Sequence, residues 1–271
     1  MMNQRISFIG AGNMGGAILG GMLKAGIAAP SQIMAADVLA SKREETAALY
    51  HVAVTGDNRE AAARADVLFL AVKPVFLPGV IEEIREAIPE NCVVVSIVAG
   101  QTIARLENMI GKPVKLIRVM PNTPALVGEG MSALTKNEKM ALPENDAEAE
   151  EIIGIFRSFG KAEWVPERLM DCVTGVSGSA PAYIFMLIEA MADAAVLEGM
   201  PRAQSYTFAA QTVLGSAKMA LELGKHPAEL KDMVTSPGGT TIEGCKVLEQ
   251  EGFRAAMMDA IHAACEKSRQ L

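Results

Sequence analysis

The opening of this chain constrains its fold more than any other stretch. A short β-like run, Arg5 to Ile9, passes without a spacer into Gly10-Ala11-Gly12-Asn13-Met14-Gly15, and a helix-forming Ala/Ile/Leu/Met segment follows through Lys24. Strand, glycine turn and helix in that order form a phosphate cradle. The first glycine makes the tight turn, the second lets a pyrophosphate approach the backbone, and the third lets the helix pack closely on the strand. A second strand-like run, Ile33 to Ala36, ends at Asp37, about 20 residues past the motif, where a carboxylate accepts hydrogen bonds from an adenosine ribose. The pattern predicts a dinucleotide site. Asp37 should repel a 2′-phosphate and favour NADH. Ser41, Lys42 and Arg43 follow closely and would either cradle that phosphate or simply form the capped first turn of a helix. The choice between NADPH and NADH stays open.

The alternation of strand and helix continues. Val52 to Thr55, Val67 to Val72, Val93 to Val98 and Val114 to Met120 read as strands; Val67 to Val72 is apolar throughout, as a buried parallel strand is, and Val93 to Val98 reads as another buried strand. Gly130 to Thr135 and Lys161 to Val165 read as later strands, with an acidic-capped helix over Glu144 to Phe159 between them. This repetition predicts an α/β fold, a doubly wound parallel sheet of the Rossmann type over residues 1–165. Ligands in such folds bind at the carboxyl ends of strands. Lys73, Ala99, Gly100 and Asn122 stand there, although strand termination alone accounts for residues of these types.

From Pro166 no β-like run recurs, and residues 166–271 read as an all-α domain. Ala180 to Leu197 is apolar on nearly every face and should be buried all round. Pro201 and Gly224 bracket a long helix, Pro227 opens another, and Phe253 to Ser268 closes the chain. A helical unit of this size cannot cover so apolar a helix by itself, which predicts a homodimer through this domain, with a higher assembly of dimers left open.

The composition narrows the functional classes. A net charge of −7 supplies no basic face for nucleic acid. Glu189 and Asp193 interrupt the apolar helix, which argues against a membrane span. The first strand begins too early to leave room for a signal peptide. Cys92, Cys172, Cys245 and Cys265 are widely spaced, His51, His226 and His262 form no cluster, and the thiols read as reduced. A cytoplasmic protein with no metal site is expected.

One further stretch carries chemistry. Ser236-Pro237-Gly238-Gly239-Thr240-Thr241 lies between two amphipathic runs and reads as a tight turn opening a helix. Adjacent glycines allow close backbone approach, and unpaired N–H groups at a helix start suit a small carboxylate. A plain helix cap is the competing reading.

With these residues in view, the chain resembles the pyrroline-5-carboxylate reductases, which catalyse the last step of proline synthesis. The resemblance rests on FIGAGNMGGAI at the start, LFLAVKP at Leu68 to Pro74, RVMPNTPA at Arg118 to Ala125, TGVSGSAPAYIF at Thr174 to Phe185, and LKDMVTSPGGTTIEGCKVLE at Leu230 to Glu249, the last being the most specific. It implies a Rossmann domain, an interlocking helical domain and an active site between domains. By motif, Gly10, Ala11, Gly12, Asn13, Met14, Asn58, Ala71, Val72, Lys73, Pro74, Val98, Ala99 and Gly100 would hold NADPH or NADH, with Asp37 at the ribose. Ser236, Gly238, Gly239, Thr240 and Thr241 would hold the cyclic imine, with Glu167 near the domain junction. Thr241 would orient the ring nitrogen. Three positions depart from the family pattern: Asp37 where some relatives have Ser or Asn, Met233 where some are polar, and Ala180 for a glycine. Two other readings compete. A hydroxyacid dehydrogenase of the same plan would use a lysine on a C-terminal-domain helix, and Ala180 to Leu197 has none. A non-catalytic dinucleotide sensor would have no need of the second carboxylate site.

Overall fold

The computed structural model describes residues 2–271. Its first part alternates β1 (Ile6–Ile9), α1 (Asn13–Lys24), β2 (Ile33–Ala36), α2 (Ala40–Tyr50), β3 (Ala53–Thr55), α3 (Asn58–Ala63) and β4 (Val67–Leu70). It continues with α4 (Leu77–Ile84), β5 (Val93–Ser96), α5 (Ile103–Ile110), β6 (Lys115–Met120), β7 (Gly130–Lys136), α6 (Asp146–Arg157) and β8 (Gly160–Trp164). The strands form one sheet in the order β3-β2-β1-β4-β5-β6-β7-β8. The first six are parallel and reproduce the doubly wound arrangement, with the chain reversing direction across the sheet beside β1. β7 runs antiparallel to β6, and β8 is parallel to β7. This departs from an all-parallel sheet. The β6–β7 link is a short 3₁₀ turn, Thr123–Val127, rather than a crossover helix, and so short a link permits only reversal.

The two-residue period of each strand divides its side chains between two cores. Phe8, Phe69 and Val95 face one layer with α1 and α6, while Ile9, Leu68, Leu70 and Val94 face the other with α4 and α5. Phe8 stacks on Phe69 at 4.5 Å, and Phe156 of α6 completes the aromatic cluster. Fully buried strands with helices on both faces are what a parallel sheet requires.

The remainder is helical: α7 (Met170–Val173), a π-helical segment (Thr174–Ser179), α8 (Ala180–Leu197), α9 (Arg202–Leu223), α10 (Pro227–Val234), α11 (Thr240–Gln250) and α12 (Phe253–Arg269). By contact density the chain divides into two compact units, Met1–Gly178 with Ala264–Leu271, and Ser179–Ala263. Within the second unit α8 packs along α9, and the Tyr183 hydroxyl donates to the Ala260 carbonyl of α12. Gly224 ends α9 with φ +63°, a left-handed cap that glycine adopts without a Cβ penalty.

The expected all-round burial of α8 does not occur in the single chain. Only Ala192 is buried there, while Phe185 and Met186 are 63% and 67% exposed. The apolar faces are present, but one copy of the chain has nothing to lay over them. The helical stretch Glu167–Leu197 is also long and apolar enough to cross a membrane by length and composition.

Candidate active site

The first unit builds a glycine turn where β1 runs into α1. Gly10 leaves β1 at φ +99°, and a Cβ there would lie 2.6 Å from the Ala71 carbonyl oxygen. Only glycine lets the turn pass so close to the end of β4. A Cβ on Gly15 would meet the Gly10 carbonyl oxygen at 2.5 Å, so its absence draws α1 against the turn. Gly12 differs from both. Its conformation is extended, and a Cβ would meet nothing within 4 Å, projecting into open space. Gly12 is the N-cap of α1, and no side chain caps the helix and no acid stands in its first turn. The positive end of the helix is therefore open to an anion. That opening, into which a methyl group on Gly12 would project, fits a pyrophosphate.

Beyond it lies a cleft of about 570 Å³ lined by Gly10, Gly12, Asp37, Asn58, Ala71, Val72 and Lys73, all expected from sequence. Asp37 accepts the N–H groups of Ala11 and Leu39 on separate oxygens, at 3.0 and 2.9 Å. Asn58 is buried and donates to Glu83 at 2.9 Å. Lys73 has no ion-pair partner among the described residues. The other expected cofactor residues stand elsewhere. Ala11 and Asn13 line a neighbouring cavity beside α2, Met14 packs on the core, and Pro74 opens a 3₁₀ turn. Val98 is buried in the second core, leaving its backbone as the only part that can face a ligand. Ala99 and Gly100 follow in the turn after β5; Gly100 has φ +73° and lies against Leu271. The cleft also recruits Val38, Leu39, Phe76, Val80 and Glu83, which sequence reasoning passed over. The signal was present in part: Val38, Leu39 and Phe76 are apolar residues placed just past strand ends, where solvated loops carry polar ones.

Glu167 is already engaged within this unit. Its Oε1 accepts the N–H of Ile103 at 2.7 Å and Nη1 of Arg118 at 3.0 Å, tying the start of α5 to β6. Asn122, at the end of β6, donates to Ser177 and accepts the Met131 N–H at 2.8 Å, which makes it a brace.

The second unit presents the diglycine turn. Gly238 has φ +67°, Gly239 is the N-cap of α11, and Thr240 and Thr241 are its first residues. The left-handed φ favours glycine at Gly238, while a Cβ on Gly239 would lie 2.4 Å from the Ser236 hydroxyl and displace it from the turn. The plain-cap reading fails in detail, since no side chain caps α11. Of the residues expected to hold the imine, Gly239 has no free N–H to offer it. That group donates to the Ser236 carbonyl at 3.0 Å and is already committed by the turn. The N–H groups of Thr240 and Thr241, with both hydroxyls, remain, and Ser236, Gly238, Thr240 and Thr241 are exposed.

Residues 167–271 match the family described as pyrroline-5-carboxylate reductase dimerisation, and residues 5–100 match that described as NADP oxidoreductase, coenzyme F420-dependent. The pyrroline-5-carboxylate reductase of Escherichia coli is 50% identical over 100% of this chain and 99% of its own length. The chain belongs to the pyrroline-5-carboxylate reductase family. The Methanosarcina acetivorans reductase is 49% identical over the same shares. Among solved structures, the Coxiella burnetii reductase superposes with a TM-score of 0.89 at 36% identity, covering 99% of this chain and 98% of the other. The Plasmodium falciparum reductase, solved with NADP bound, gives 0.89 at 34% identity, covering 100% and 98%. Membership makes the chain an NAD(P)H-dependent oxidoreductase of proline biosynthesis, reducing pyrroline-5-carboxylate. The dimerisation family also makes the C-terminal domain an oligomerisation domain.

Proposed function

We propose that the reductase divides its two ligands between the two units: the β1–α1 turn and its cleft hold the dinucleotide, and the turn at 236–241 holds the carboxylate of the cyclic imine. The observation that carries this is the pair of uncapped helix starts, α1 behind Gly12 and α11 behind Gly239, each presenting free N–H groups and a positive dipole end. A dinucleotide pyrophosphate and a substrate carboxylate are the two anions this reaction brings. When bound, the dinucleotide supplies the hydride.

The residues of the chain do the rest. The N–H groups of Thr240 and Thr241 fix the carboxylate, and fixing one end of a small rigid ring fixes the face it offers. The Thr241 hydroxyl hydrogen-bonds the ring nitrogen. A threonine hydroxyl is a weak acid, so Thr241 orients the ring and relays a proton rather than acting as the ultimate acid. The protonated imine is electrophilic enough to need no stronger one. Lys73 is the cation available within the cleft. Glu167 positions α5 through Ile103 and Arg118.

The dimerisation family supports a homodimer in which a second copy covers α8, in place of a lipid bilayer, and the net charge of −7 supports a protein that binds no nucleic acid. A cytoplasmic location accords with the unpaired cysteines. Steady-state rates with pyrroline-5-carboxylate and each reduced dinucleotide test the reading. Turnover to proline is expected. Dinucleotide binding without turnover would return the chain to the sensor class.

A further inference from the structure

The end of the cleft at β2 is built around one carboxylate. Asp37 Oδ2 accepts the Ala11 N–H and Oδ1 accepts the Leu39 N–H, which pins the group beside the glycine turn. Each oxygen keeps a further lone pair, so the pair of oxygens can still accept two vicinal hydroxyls. A 2′-phosphate offers only acceptors and negative charge in the same place.

Two cations stand near that charge, Arg43 and Lys42, and each is engaged by another partner. Arg43 directs Nη1 to the carbonyl oxygens of Asp37 and Val38, at 2.7 and 3.1 Å, and so serves to hold the β2–α2 loop. Lys42 pairs with Glu45 at 2.7 Å, and both line the separate cavity beside α1. The charged residues lining the cleft are Asp37, Glu83 and Lys73. Lys73 follows β4, two strands over from β2 in the sheet, which is about 10 Å at the usual strand spacing. The one cation lining the cleft therefore stands away from the ribose end, Arg43 and Lys42 are held by loop carbonyls and Glu45, and the ribose end carries a fixed carboxylate.

We infer that Asp37 sets the dinucleotide preference of this reductase and that the cleft takes an adenosine with a free 2′-hydroxyl, so NADH binds in preference to NADPH. The inference rests on the reading of this cleft as the dinucleotide site.

Equilibrium titration of the full chain with NADH and with NADPH, followed by fluorescence or calorimetry without substrate, tests it. NADH is expected to bind at least tenfold more tightly at low ionic strength. The gap should narrow as salt is added, because repulsion between charges at a solvated site is screened. Asp37→Ser should shrink the ratio of dissociation constants at least tenfold, chiefly by tightening NADPH. Asp37→Asn, which keeps the size of the side chain, should shift the ratio in the same direction. The inference is overturned if the wild-type chain binds NADPH as tightly as NADH, or if neither variant moves the ratio. It is equally overturned if Arg43→Ala weakens NADPH alone, since Arg43 would then be a phosphate ligand. If neither dinucleotide binds, the cleft itself has been misread, an outcome distinct from equal binding of both.

Discussion

Gly10 and Gly12 are two residues apart, and the structure gives them opposite roles. Gly12→Ala places a methyl group where nothing lies within 4 Å, on backbone at φ −71° and ψ −173° that any residue adopts. The folded chain should scarcely respond. Removing glycine freedom from the unfolded state gains roughly 0.4–1 kcal/mol, and alanine is a poorer N-cap than glycine by roughly a similar amount. The net is within about 0.5 kcal/mol of zero, a melting shift of about 2 °C or less. Dinucleotide affinity should fall, since the methyl group holds the phosphate off the α1 N–H groups. Losing one charge-assisted hydrogen bond, worth about 1.5–3 kcal/mol, raises the dissociation constant roughly 10- to 100-fold. Gly10→Ala should behave in reverse order of severity. Its Cβ would lie 2.6 Å from the Ala71 carbonyl oxygen and 2.8 Å from the carbonyl carbon, at φ +99°. Backbone strain of this kind costs about 1–3 kcal/mol before the clash is counted, so melting should drop by roughly 5 °C or more. Thermal melts paired with dinucleotide titration separate the two effects. A Gly12→Ala chain that folds normally and binds with wild-type affinity would refute the placement of the pyrophosphate at this turn.

Two further outcomes follow from the structure. Burial among the β4, β5 and α4 side chains pushes the Cys92 thiol up to about 12, whereas in the unfolded chain it titrates near 8.5. Its contribution to stability is thus complete below about pH 8.5 and is lost as pH rises toward 12, at up to about 1.4 kcal/mol per pH unit. Denaturant unfolding from pH 8 to 11 should show this alkaline slope, and Cys92→Ala should flatten it; an unchanged slope would assign the loss to other groups. The second outcome concerns α8. Phe185→Glu on its exposed face should convert the assembly to single chains in sedimentation while leaving dinucleotide binding within about twofold, and an unaltered assembly would place the subunit contact elsewhere.

How much of this was legible in the sequence depends on the range of the forces involved. The strands and their order of appearance came through because burial on both faces writes an apolar run. Their ends did not. The runs Val67 to Val72 and Val93 to Val98 stay apolar after pairing stops at Leu70 and Ser96. The residues past those points leave the ladder to line the cleft or turn back into the core, and hydropathy does not register that change. The antiparallel direction of β7 is equally hidden, because a strand's run of residues reads the same in either direction. Contacts distant in sequence were the least visible. The clamp of Glu167 on Arg118 and Ile103, and that of Asp37 on Ala11, exist only once the sheet has formed. The π-helical segment Thr174–Ser179 had no local signature. The diglycine turn was readable, since its chemistry lies within six consecutive residues. Even there the commitment of the Gly239 N–H to Ser236 emerged only from the geometry. The apolarity of α8 is legible in the sequence, and so is the consequence that one copy of the chain leaves it exposed.

The most direct test of the division of labour is the Thr241→Ala variant, measured for turnover with pyrroline-5-carboxylate and for equilibrium dinucleotide affinity. Thr241 lies on α11, within the second compact unit, and the cradle lies in the first. kcat should fall by at least tenfold while the dinucleotide dissociation constant stays within about twofold of wild type. Undiminished turnover, or a parallel loss of dinucleotide binding, would contradict the assignment of the two ligands to separate sites.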